Sequence, residues 1–234
     1  MSIGVLHYTM SRTGRIVVIA GIDGAGKSTV VASLAARLET TQRVARVSGG
    51  KPQAAWLERL RLGLRRASPE DGMGRSQSRP RTRIIRDALP GLVLALLRWR
   101  LSRRARRLAL AGVTVVADRW PTLEHGKMDG PKIARDQPGL NGAILRLLAR
   151  WELALYRRIE PADIAFFLVV DESTAIQRNA ERVKAGKESA EDIKRRYREN
   201  LAYRPIAQRV ERIDNSGTLA EVLALLERNL EPGR

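Results

Sequence analysis

The aliphatic run RIVVIAGI (residues 15–22) opens directly into GIDGAGKST, which fits the pattern G-x-x-x-x-G-K-[ST] through Gly21, Gly26, Lys27 and Ser28. A strand that turns through glycines into a helix fixes the local chain path more tightly than anything else in the sequence. The helix is predicted over about Lys27 to Glu39, where Val30, Val31, Leu34, Ala35 and Leu38 recur on one face. Glycines let successive backbone N–H groups curl toward anionic oxygens, and the helix N-terminus adds a favourable dipole. Gly21, Asp23, Gly24, Ala25 and Gly26 are therefore expected to line a phosphate-binding loop. Lys27 is expected at the β- and γ-phosphates of ATP, Ser28 on a Mg²⁺ ion and Thr29 near the α-phosphate.

Apolar runs at Val44 to Val47, Val113 to Ala117, Ile164 to Val170 and Val210 to Ile213 add four further strands. Each is followed by helical periodicity, and continuous apolar runs mark strands buried on both faces. The expected fold is α/β: a three-layer α/β/α sandwich around a five-stranded parallel sheet, of the P-loop nucleotide-kinase type. Further helices are predicted near Ala54 to Arg66, Arg83 to Ala111, Leu140 to Ile159, Glu172 to Lys184, Ala190 to Tyr203 and Leu219 to Leu230, with a break expected at Pro90. Residues 67–82, ASPEDGMGRSQSRPRT, lack apolar periodicity and read as a mobile loop. The chain is thus read as an N-terminal extension (1–14) and one domain (15–234) with loop 67–82 and a lid at 178–190.

With no cysteine and only His7 and His125, disulfides and thiolate-bound zinc are excluded. No apolar stretch approaches the roughly 20 residues of a membrane span, and the first residues lack a secretory pattern, so a cytoplasmic address is expected. The net charge of +18 draws anions in general, nucleotides and nucleic acid included.

Two strands end in aspartate, at Asp118 and Asp171, and each is a candidate for the carboxylate beside the metal. An ATPase needs a base for water, which Glu172 after Asp171 would supply. A kinase whose acceptor already bears phosphate needs arginines that offset anion–anion repulsion, and Arg119 follows Asp118. Trp120, next to Arg119, is the tryptophan best placed in sequence to touch substrate. His125 with Glu124 and Asp129 is poor ligand geometry for a metal and reads as a solvated loop, and Arg103, Arg104, Arg106 and Arg107 read as a solvated helix face.

GIDGAGKST, VVADRW, the basic stretch after VVDESTAIQR and ERIDNSGTLAEVLALL together resemble thymidylate kinase, of the nucleoside monophosphate kinase family, over most of the chain. The resemblance implies ATP-dependent phosphoryl transfer to a nucleoside monophosphate, dTMP first, with Mg²⁺. It implies that Asp118 and Arg119 lie at the acceptor and metal site, that Asp23 faces the acceptor sugar, and that Arg98 or Arg100 meets the acceptor phosphate. It also implies an arginine lid through Arg178 and Arg182, with Lys184 and Lys187 beyond, an adenine contact at Asn215, Ser216 and Gly217, and a homodimer through the apolar faces of Leu92 to Leu97 and Leu140 to Leu155. Two segments depart from the family: VSGGKP, with Lys51, replaces an Arg-Glu-Pro stretch, and WPTLEHGKMDGPK follows Arg119. The acceptor's identity is left open by those departures.

Overall fold

A computed structural model of the 234-residue chain describes residues 14–50, 81–134, 139–180 and 190–230. The expected helix at Ala54 to Arg66, nearly all of loop 67–82, His7, Lys51 and the lid positions Arg182, Lys184 and Lys187 lie outside the described residues.

Five strands, β1 (Ile16–Gly21), β2 (Val44–Ser48), β3 (Thr114–Asp118), β4 (Ala162–Val169) and β5 (Ala207–Asp214), form one parallel sheet in the order β2-β3-β1-β4-β5. Helices α1 (Lys27–Glu39), α2 (Arg81–Leu110), α3 (Gly139–Arg157), α4 (Glu172–Ala180), α5 (Ala190–Asn200) and α6 (Leu219–Leu230) connect and cover it. The expected α/β sandwich is therefore the observed one.

Burial follows position in the sheet. Central β1 is buried at every residue, whereas edge strands β2 and β5 are largely half-buried or exposed. Along β1 the side chains alternate. Val17 and Ile19 join Val30, Leu34, Phe166, Leu223 and Leu226 under α1 and α6, while Ile16, Val18 and Ala20 join Ala105, Ala109, Val115 and Phe167 under α2. Two dry layers thus clamp the strand that delivers the glycine loop.

Helix α2 does not break at Pro90, contrary to the sequence expectation; it runs unbroken from Arg81 to Leu110. Proline forfeits one helical hydrogen bond. The segments on either side of it are held by tertiary packing: Ala88 sits with Leu145, Leu148 and Ala149, and Ala95 with Tyr156 and Ile159. Among the described residues no helix is long and apolar enough to cross a membrane.

Candidate functional site

The glycine loop leaves the end of β1 and closes on the N-terminus of α1. Gly24 has φ +87, and a Cβ there would stand 2.6 Å from the carbonyl oxygen of Ala175, so both backbone conformation and the approach of α4 demand glycine. Asn215, buried after β5, donates from Nδ2 to the carbonyl of Ala25 at 2.8 Å and braces the loop from its other side. Ser28 and Thr29 are exposed on the first turn of α1. Lys27 is 6% exposed, its Nζ donating to the Ile22 carbonyl at 2.5 Å and lying 3.7 Å from Asp23 Oδ1. Burial, then the neighbouring Arg119, pushes the ammonium down from 10.5 to about 8, against the pull of Asp23, Asp118 and Asp129.

Strand β3 ends beside this loop, with Asp118 in register with Ile19 on one side and Ser48 on the other. Its Oδ1 is buried and has no hydrogen-bond partner among the described residues. A buried carboxylate oxygen left open near Lys27 is a fit for a divalent cation, with the Ser28 hydroxyl as the other protein donor. Arg119 follows with φ 68, the one non-glycine residue in the left-handed region among those described. Such backbone strain persists only when surroundings over-determine it. Its N–H donates to the Ile19 carbonyl at 3.0 Å, its Nη2 to Asp23 Oδ1 at 2.5 Å, and its Nη1 lies 3.8 Å from Asp129 Oδ2. Gly50, in VSGGKP, lies under this side chain. A Cβ on Gly50 would stand 2.7 Å from Cδ of Arg119, so a larger residue there would push the Arg119 side chain off its present path.

Of the two candidate acceptor arginines, Arg98 reaches this cluster, but both its terminal nitrogens are already engaged. Nη1 donates to the Asp129 carbonyl and to Tyr156 Oη, and Nη2 donates to the Gly50 carbonyl and to Asp129 Oδ1 at 2.9 Å. It is 3% exposed and holds the loop after β3 against β2. Arg100, two residues on and about 200° round the helix, is exposed. Trp120 corrects the sequence expectation: it is fully buried in the core layer under α2, with Nε1 donating to the Glu160 carbonyl, and it has no surface to offer a substrate. The αL turn at Arg119 sends the next side chain inward.

Asp171 has a different duty from Asp118. It caps α4, accepting hydrogen bonds from the Ser173 hydroxyl and, at 2.8 and 2.6 Å, from the Thr174 N–H and hydroxyl, which hold its carboxyl far below the ordinary range. Arg178 on α4 brings Nη1 to 3.9 Å from where a Cβ on Gly26 would stand, beside the phosphate loop. Ser216 is exposed and turns back on Asp214. His125 is exposed, with Nε2 at 2.9 Å from the Ile133 carbonyl, and no cluster of metal-ligating residues occurs among the described residues.

The sequence reading passed over Glu152 and took Asp129 as part of a solvated loop, whereas Asp129 is 2% exposed and paired with Arg98. Both are buried carboxylates. Glu152 accepts from the backbone N–H groups of Lys132 and Ile133 at 2.9 and 3.0 Å, and Asp129 joins Arg98 to Arg119. Neither lies in a recognisable motif; only the fact that α3 and the loop after β3 share a buried contact exposes their roles.

No family model matches the chain. Among curated proteins it is 29% identical over 180 residues to the uncharacterized ATP-binding protein YghR of Escherichia coli strain K12, covering 70% of this chain and 68% of that one. It is 31% identical over 180 residues to the uncharacterized ATP-binding protein YghS of the same strain, covering 70% of this chain and 73% of the relative. With the glycine loop, the parallel sheet and the Asp118–Arg119 strand end in place, the chain belongs to the family of YghR and YghS.

Proposed function

We propose that the protein binds ATP at the glycine loop and transfers its γ-phosphoryl group to a phosphorylated acceptor, a nucleoside monophosphate such as dTMP being the first candidate. The ATP half is supported by the relatives' names and by the loop geometry. The transfer half is supported by one observation: Asp118, whose charge acts on Lys27, keeps a buried, unpartnered Oδ1 among the described residues, whereas the rival Asp171 is consumed in capping a helix. A hydrolase built on Asp171 and Glu172 is the weaker reading for that reason.

Lys27 would hold the β- and γ-phosphates, Arg178 and the lid residue Arg182 would meet them from the other side, and Asn215 and Ser216 would border the adenine. Ser28 and Asp118 would hold Mg²⁺, which when bound neutralises charge that builds on the transferring group. Asp23 and Arg119 would face the acceptor, Arg119 exchanging part of its hold on Asp23 for the incoming phosphate. The site needs no base for a phosphate acceptor, because the nucleophilic oxygen is already ionised. A cytoplasmic homodimer is part of the reading. Trp151 and Leu147, 57% and 48% exposed on α3, adjoin a groove lined by Leu92, Val93 and Leu96 of α2, an apolar face suited to a second copy.

The test is a panel of nucleoside monophosphates mixed with ATP and Mg²⁺, read for ADP and the matching diphosphate. ADP release equal with and without every acceptor would refute transfer and favour hydrolysis. A second reading, nucleic-acid binding gated by ATP, draws on Arg100, Arg103, Arg104 and Arg107. These stand at i, i+3, i+4 and i+7 on α2, all exposed and without an ion-pair partner among the described residues. A salt titration of RNA or DNA binding separates it, since phosphate-driven association falls steeply with salt.

A further inference from the structure

The loop after β3 carries a carboxylate placed between the two arginines that sequence alone offered to an acceptor. Asp129 is 2% exposed. Its Oδ1 accepts from Arg98 Nη2 at 2.9 Å, and its Oδ2 lies 3.8 Å from Arg119 Nη1 and 3.5 Å from the Tyr203 hydroxyl. Arg119 in turn meets Asp23, and Asp23 meets Lys27 at 3.7 Å. Positive and negative groups thus alternate from the interior of α2 to the phosphate loop: Arg98, Asp129, Arg119, Asp23, Lys27.

From this chain of charges we propose that Asp129 is a positioning residue for an anionic acceptor: shared between Arg98 and Arg119, it fixes the direction in which Arg119 presents its guanidinium. The inference rests on the phosphoryl-transfer reading above and narrows the acceptor to one that brings negative charge to Arg119. Two features support orientation over mere packing. Arg119 sits in a strained backbone conformation and has its stem packed over Gly50, so its head group has few directions left to it. The Asp129 carboxylate also reaches past Arg98, which it neutralises, to Arg119, so its charge is shared between two guanidiniums and not spent on one. Its loop has other holds besides that charge. The backbone is held by Met128 N–H on Asn200 Oδ1 at 2.7 Å, by the Tyr156 hydroxyl on the Gly130 carbonyl at 3.0 Å, and by Glu152 on Lys132 and Ile133.

Two opposite effects follow from Asp129→Asn. The site loses a negative charge near the acceptor, so an anion binds more tightly, by about three- to tenfold for a unit charge a few ångströms away in a half-exposed site. Arg119, whose Nη1 also meets the Met128 sulfur, meanwhile loses one of its two carboxylate partners, so kcat falls about tenfold or more. A purely structural carboxylate would lower the melting temperature without moving affinity and turnover in opposite directions.

The experiment titrates inorganic phosphate onto the protein saturated with Mg²⁺ and a non-hydrolysable ATP analogue, which fills the glycine loop and leaves the acceptor side open. Wild type and Asp129→Asn are compared, and kcat and KM are measured for the best acceptor of the monophosphate panel. Tighter phosphate binding together with slower turnover is the expected result. Equal or weaker phosphate binding by folded Asp129→Asn overturns the proposal. Tighter phosphate binding with no transfer by the wild type to any monophosphate would refute the transfer reading while supporting the placement of Asp129. If Asp129→Asn does not fold, Tyr203→Phe is read instead: without the Tyr203 hydroxyl, Oδ2 turns wholly to Arg119 and phosphate binds about twofold or more weakly. An unchanged affinity there overturns the proposal as well.

Discussion

Replacing Lys27 by methionine should abolish phosphoryl transfer and, in the same molecule, stabilise the fold. The ammonium is 6% exposed and its pKa falls from 10.5 to about 8, chiefly through burial. A depression of about 2.5 units at ~1.36 kcal/mol each means that holding the charge in the native state costs about 3 kcal/mol at neutral pH. Methionine fills similar volume without the charge, but the hydrogen bond to the Ile22 carbonyl goes with it, worth about 1 kcal/mol. The net gain is about 2 kcal/mol, or roughly 4–8 °C in Tm for a chain of this size. The sign with pH follows from the two pKa values. Below about pH 8 native and unfolded chains both carry the proton and the wild type bears the full cost; between about 8 and 10.5 the native lysine sheds its proton first, so the advantage of Lys27→Met shrinks and is gone above that window. Thermal melts of both proteins from pH 7 to 10.5, with and without MgATP, measure this directly. ATP should raise the wild-type Tm by mass action and leave that of the variant unchanged. A variant less stable than wild type at pH 7, or a difference constant across the pH range, would refute the view that Lys27 is strained by burial for the sake of its ligand.

Asp118→Asn should reduce transfer far more than Asp171→Asn, because asparagine still caps α4 in place of Asp171 but cannot supply the charge for a cation; turnover rates in the reverse order would favour the hydrolase. Gly50→Ala places a Cβ 2.7 Å from Cδ of Arg119 and should lower acceptor-dependent turnover several-fold while melting within a few degrees of wild type, since the obstacle is a flexible side chain; unaltered kinetics would show that Arg119 does not need its present path. Arg182→Ala should cut kcat about tenfold or more with ATP affinity nearly kept, as expected of a donor that arrives only on closure; steady-state kinetics beside ATP titration decide it. Light scattering across micromolar concentrations should give twice the monomer mass, and a monomer throughout would remove the homodimer.

Features that depend on neighbours within about a dozen residues are legible without coordinates. The glycine loop, the strand before it and the α1 face of Val30, Val31, Leu34 and Ala35 are legible because period and glycine placement are local properties, and continuous aliphatic runs at β1, β3 and β4 announce a sheet covered on both sides. The charge cluster around Arg119 is set by long-range contacts. Arg98 and Asp129 are 31 positions apart and Arg119 and Asp23 are 96 apart, so no window of sequence distinguishes a charge locked in an ion pair from one offered to a ligand. The same holds for Trp120, whose place beside Arg119 in sequence becomes the opposite direction in space once Arg119 turns left-handed. Pro90 breaks a helix by its local chemistry, yet α2 continues because α3 packs on both segments flanking it. Local sequence sets which conformations a segment prefers; long-range packing and buried charge pairing select among them and decide which side chains remain free to act.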